Sequence, residues 1–141
     1  MGAGIAAQIK ARYPEAFNAD TVAYQTGMAQ LGLFSHARVG ENRDKRIVNL
    51  YAQFRFGRER RHLDYEALYQ CLSELNALLR AKKDEEGLDF ALGLPYNMGC
   101  VNAGGSWIVV EAMIRDIFVD SPIRVVIVEK TETPLDTTST P

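Results

Sequence analysis

Leu92-Gly-Leu-Pro-Tyr-Asn-Met-Gly-Cys-Val-Asn-Ala-Gly-Gly-Ser-Trp107 joins an apolar strand to an amphipathic helix through a glycine-rich loop. Leu88 to Leu94 reads as a short buried strand. Trp107, Val110, Ile114 and Phe118 recur at helical spacing and give one apolar face. Between them stand Gly99, Gly104 and Gly105, where a backbone without Cβ can turn through positive φ and lie close to a ligand. The first N–H groups of the following helix have no intrahelical partner, and with the positive end of the helix dipole they suit an anion such as a phosphate. A plain strand-to-helix turn needs only one or two glycines. Three, interleaved with Asn97 and Asn102, favour a ligand loop at the carboxyl end of a strand.

Outward from this loop, 141 residues amount to one domain, and a 47% hydrophobic content is enough for a single core. A net charge of -2 offers no general attraction to nucleic acid or to an acidic membrane surface, so any anion site is local. Cys71 and Cys100 sit in unlike contexts and make no disulfide framework, which fits a reducing cytoplasm. No apolar run approaches the roughly 20 residues that span a bilayer, and Met1-Gly-Ala-Gly4 lacks the charged start of a signal peptide.

The chain opens with Ile5, Ile9 and Tyr13 on one helical stripe, which Pro14 is expected to close. A glycine turn ahead of such a helix normally follows a strand. The sequence therefore reads as starting inside a strand-loop-helix unit, and exposed sheet edges and self-association are expected. Residues 15–32 read as irregular, with one short strand at Thr21 to Tyr24. Leu33 to Val39 and Ile47 to Tyr51 read as adjacent strands joined by the charged turn Gly40 to Lys45. Phe54 to His62 is a basic loop with two aromatics; Glu59 and the acidic whole favour a solvated loop over a nucleic-acid site.

Asp64 is placed to cap a helix whose seam is Leu68, Leu72, Leu75 and Leu79, and Gly87 to end it. Ile123 to Val128 reads as another buried strand. Lys130 to Pro141, rich in Thr and Pro, reads as a disordered tail beyond a domain of residues 1–129. Alternating helices and strands imply an α/β layered domain with largely parallel central strands.

Metal binding finds no support, since His36 and His62 have no partners at ligand spacing. Cys100 has no nameable partner base and reads as a small loop-filling residue. Neither the nucleotide-hydrolase phosphate loop nor the dinucleotide fingerprint matches, and no cofactor is implied. Trp107 belongs to the core stripe.

Four co-linear stretches carry a resemblance: Met1 to Lys10 with Tyr13-Pro14, Ile47 to Gln53, Tyr65 to Leu68, and Leu94 to Trp107. Together they resemble macrodomains, especially the phage and bacterial type associated with ADP-ribose-1''-phosphate phosphatase activity, in the right order as far as Glu129. The resemblance implies a three-layer α/β/α fold, N-terminally truncated, whose cleft binds ADP-ribose or a derivative and hydrolyses ADP-ribose-1''-phosphate or a related ADP-ribosyl ester. It implies that Gly2, Ala3, Gly4 and Ile5 hold the terminal ribose and nearby phosphate. Asn97, Gly99, Cys100, Val101, Asn102, Ala103, Gly104 and Gly105 then wrap the diphosphate.

Three departures bear on this. The family's first strands, which carry its adenine-selecting acidic residue, have no counterpart ahead of Gly2. Val101 stands where the family loop has glycine. Ala103 stands where one branch has the aspartate that works with a lysine to remove ADP-ribose from proteins, so that lysine-based mechanism does not carry over. A non-catalytic ADP-ribose-binding module and a degenerate macrodomain fragment stay open beside the hydrolase.

Overall fold

In the computed structural model the described residues are 4–53, 62–87, 89–100 and 103–129. Gly2, Ala3, Val101, Asn102, most of the basic loop and the residues from 130 onward lie outside them.

The chain begins with two helices, α1 (Gly4–Arg12) and α2 (Pro14–Gln25). Pro14 does not merely close the first helix: it stands at the N-terminus of the second, where its missing N–H costs nothing and its fixed φ suits the first turn. Residues 15–25 are therefore helical, not irregular, and no strand forms at Thr21 to Tyr24. The buried face of α2 is Ala16, Asp20 and Ala23, too small and too polar to register as an apolar stripe. Lys10 Nζ lies 4.0 Å over the Phe17 ring and helps pin α1 to α2.

Strands β1 (Phe34–Val39) and β2 (Lys45–Leu50) form the expected hairpin, antiparallel, with Phe34 opposite Leu50 and Val39 opposite Lys45. Its two faces pack on different layers. Toward α2, Tyr51 donates its hydroxyl to Asp20 Oδ1 at 2.7 Å, Ser35 Oγ lies 2.8 Å from the same phenol, and Asn49 Nδ2 donates to Ala16 O at 3.4 Å. Toward the other side, Leu50 and Ala52 join the main hydrophobic cluster.

That cluster is organised by α3 (Tyr65–Glu86) and α4 (Trp107–Phe118). Asp64 caps α3 as expected, its side chain accepting from Ala67 N at 3.0 Å, and Gly87 ends it in the left-handed region at φ 63. Leu68, Leu72 and Leu75 are buried along its seam, and Val110, Ile114 and Phe118 oppose them from α4. Asn76 ties the pair together: its Nδ2 donates to Ile117 O at 3.3 Å and its Oδ1 accepts from Ser121 Oγ at 2.6 Å.

Between these helices in sequence runs β3 (Ala91–Pro95), parallel to β4 (Arg124–Val128), with Leu92 opposite Val125 and Leu94 opposite Ile127. The expectation of a buried strand at Ile123 to Val128 holds only for its start. Ile123 is buried and Val125 packs on the cluster, but Val126, Ile127 and Val128 are all exposed, because one face and one edge of β4 have no covering element among the described residues. Helices thus lie on both sides of the strand layer, giving the three-layer α/β/α arrangement. The layer is divided: β1–β2 and β3–β4 are separate two-stranded sheets, and only the second is parallel.

Candidate functional site

The strands β2 and β3 end beside one another, and a cavity of about 110 Å³ opens at those ends. Leu50, Ala52 and Gln53 line it from the β2 side, Leu63 and Leu68 form its floor, and Met98 and Gly99 close it from the glycine loop. This volume accommodates a sugar ring or phosphate group, so a larger ligand would lie partly outside it.

The loop departs from β3 by a tight turn. Met98 N donates to Pro95 O and Cys100 N to Asn97 O, which forces Asn97 to φ 61 and Gly99 to φ 73. Gly104 is likewise left-handed at φ 72. Gly105 plays another part. Its N–H is taken by Gly99 O at 2.9 Å, and a Cβ there would stand 2.5 Å from Leu63 Cδ2 and 2.8 Å from Gly99 O, so close packing excludes any side chain.

A short strap before α3 clamps this loop to β2. His62 N and Leu63 N both donate to Ala103 O, at 2.7 and 3.0 Å; Gln53 bridges Leu63, and Asp64 N donates to Ala52 O at 2.7 Å. One residue later Tyr65 accepts at its hydroxyl from Ser106 N at 2.9 Å. Residues 62–65 therefore bind both walls of the cavity. His62 is only 4% exposed, and its Nε2 has no hydrogen-bond partner among the described residues. Sequence reasoning passed over this strap, since its bonds reach some forty residues along the chain; the one local signal was the abrupt change from a charged run to His62-Leu63-Asp64.

The loop delivers the chain to α4. Ser106 is its N-cap residue but makes no side-chain capping bond, and the first turn holds no acidic residue, so neither a hydroxyl nor a carboxylate of that turn offsets the positive end of the helix. Trp107 at its start packs edge-on against Tyr96, ring centroids 5.0 Å apart, and on the core cluster. Cys100 is half-buried with its sulfur 3.4 Å from Met98 O, and burial pushes its thiol up from the ordinary value. That is the opposite of what a thiolate nucleophile needs.

Of the residues singled out in the sequence, Asn97, Gly99, Cys100, Ala103, Gly104 and Gly105 come together in this loop, with Ala103 buried as the acceptor for the strap. Gly4 opens α1, and Ile5 is 56% exposed and not among the described residues that line the cavity. Gly2, Ala3, Val101 and Asn102 fall outside the described residues. No group of three potential metal-ligating side chains occurs among the described residues, and no helix there is long and apolar enough to cross a membrane.

No protein-family model matches the sequence, and no curated protein matches it significantly. Solved structures do match. The macrodomain of Mycobacterium tuberculosis DarG superposes with a TM-score of 0.73 at 25% identity, covering 94% of this chain and 82% of its own. The macrodomain of Thermus aquaticus DarG gives 0.70 at 22% identity, covering 93% and 82%. The fold is macrodomain-like. A protein of unknown function from Bacteroides thetaiotaomicron matches the same macrodomain-like arrangement with a TM-score of 0.76 at 21% identity, over 91% of this chain and 78% of that one.

Proposed function

We propose that the cavity at the ends of β2 and β3 takes one end of ADP-ribose or of a derivative, with the 97–105 loop against its phosphates. The observation that carries this reading is the loop itself. On a macrodomain-like fold, three left-handed residues turn the backbone beside a cavity and lead into a helix start with no carboxylate in its first turn. Val101 and Asn102 belong to the same proposed set through their place in the loop, and Gly2, Ala3, Gly4 and Ile5 through the sequence resemblance.

The finer proposal is hydrolysis of ADP-ribose-1''-phosphate or a related ADP-ribosyl ester. Catalysis would rest on positioning, with backbone donors offsetting phosphate charge and orienting a water. One observation favours a second reading, a binding module without turnover: among the described residues the cavity lining is apolar except for Gln53 and the backbone, and supplies no side chain suited to act as a general base.

Calorimetric titration with ADP-ribose tests the binding proposal, with saturable heat expected; no heat at millimolar ligand sinks it. Release of inorganic phosphate from ADP-ribose-1''-phosphate then separates the hydrolase from the binding module.

A further inference from the structure

The face of the β1–β2 hairpin that Leu50 presents to the main cluster changes character toward the other end of the strands. Residues directly opposite one another share a face, so Phe34 with Leu50, His36 with Val48, and Arg38 with Arg46 form successive rows on the side of α3. The row beside the core is apolar. The row farthest from it is a pair of arginines. Like charges set directly opposite each other cost stability, and among the described residues no carboxylate lies within ion-pair distance of either guanidinium.

Two further groups converge on this row. Arg46 Nη1 lies 3.0 Å from His36 Nδ1. A guanidinium keeps its protons and has no acceptor, so Arg46 donates, Nδ1 accepts, and the ring proton stands on Nε2. Lys82 acts on the same place from α3: burial first, then the charges of Arg46 and Lys82, hold His36 below the usual histidine value. Lys82 is paired with Glu86 at 3.7 Å, which leaves the two arginines unneutralised. His36, Arg38 and Arg46 are all exposed. A charge that guards a strand edge needs only to be solvated. Edge protection therefore accounts for one cation on a strand, not for two set opposite each other with a histidine bonded to one of them.

We propose that this face is an anion site for a phosphate group, with Arg38 and Arg46 as its two forks and His36 Nε2–H and Lys82 at its margin. Planar guanidinium groups match phosphate oxygens bidentately, and an anion between them removes their repulsion. The site stands at the end of β1 and the start of β2, whereas the cavity opens at the carboxyl end of β2, so it is independent of the ADP-ribose reading.

The test titrates the intact chain with inorganic phosphate, with chloride holding the ionic strength constant, and follows arginine Nε–H and histidine ring signals by NMR. Saturable shifts at Arg38, Arg46 and His36 are expected, and Arg38→Gln or Arg46→Gln should weaken that binding on the order of tenfold or more. Lys45→Gln removes the same charge from the opposite face of the hairpin and should leave the affinity within about twofold. Both arginine variants should melt no lower than the parent, because each relieves a repulsion. A second arm with a single-stranded thymidine hexamer names the source of the phosphate: tighter arginine-dependent binding than in the first arm assigns it to a nucleic-acid strand, and equal or weaker binding to free phosphate. No shift at the arginines, equal weakening by all three substitutions, or lower melting of both arginine variants would overturn the site. Shifts confined to Gly99 and Gly104 would also overturn it, while leaving the ADP-ribose proposal standing.

Discussion

Leu63 Cδ2 lies 2.5 Å from the point where a side chain on residue 105 would begin, so the strap before α3 and the end of the glycine loop are packed to the limit of contact. The second obstacle at that point, Gly99 O at 2.8 Å, is backbone and cannot swing aside. Gly105→Ala is therefore expected to lower stability by about 1–3 kcal/mol, as overpacking does. Denaturant unfolding measures it, and Leu63→Ala in the same chain should restore only part of the loss, since the carbonyl stays in place.

Gly104 is a left-handed residue of the proposed ligand loop. At φ 72 it holds a conformation that a β-branched residue does not adopt without strain. Gly104→Val should abolish ADP-ribose binding in calorimetry while the far-ultraviolet helical signal stays close to that of the parent. Equal affinity in the two proteins would remove this loop from the site.

On the opposite face of the chain at the end of β2, Tyr51 is predicted to govern alkaline stability. Burial first, with Asp20 reinforcing and the Ser35 hydrogen bond opposing, pushes its phenol up to about 12 from an ordinary 10. Between those values the unfolded chain loses the proton while the folded chain keeps it, so the unfolded state binds fewer protons and stability falls as pH rises. The contribution is complete below pH 10. Tyr51→Phe starts lower at pH 7, because Asp20 loses its donor, but lacks this alkaline limb; the gap between the two proteins should narrow from pH 10 to pH 12. The Cys71 thiol, pushed up to about 11 by burial, is common to both and cancels in the difference. A gap independent of pH would show that Tyr51 titrates as an ordinary phenol.

Asp64→Ala removes the α3 cap and is expected to cost about 1 kcal/mol, with Asp64→Asn close to neutral. Urea midpoints for the three chains decide it. A loss from the asparagine variant equal to that from alanine would mean that the charge, not the capping bond, is what α3 uses.

What was legible in the sequence had apolar residues at one clear period. The seams Leu68-Leu72-Leu75 and Val110-Ile114-Phe118, the hairpin, and the caps Asp64 and Gly87 all announce themselves within a few residues. The second helix did not, because its buried face is alanine with one aspartate, and that aspartate makes sense only beside a tyrosine 31 residues later. The exposed end of β4 was misread for the opposite reason: a run of valine and isoleucine looks buried whether or not anything covers it. The loop of the candidate site showed itself through its glycines. The reason for one of them, the contact between Gly105 and Leu63, lies outside any local window.

Among the described residues no strand ladder crosses from residues 4–53 to residues 62–129; the isolated bridge Gln53–Leu63 is the pairing that does. Each half completes its own sheet from neighbours in sequence, and what joins them is side-chain packing at Leu50 and Ala52, the contact of Cys71 Sγ with Leu33 O, and the strap. Those contacts join residues distant in sequence and close after the β1–β2 hairpin, whose strands are neighbours. They also leave the plane of least resistance between β2 and β3. Heat or force should therefore part the two halves along that plane before either half unravels, and the candidate site, which straddles it, would be the first region to lose its shape.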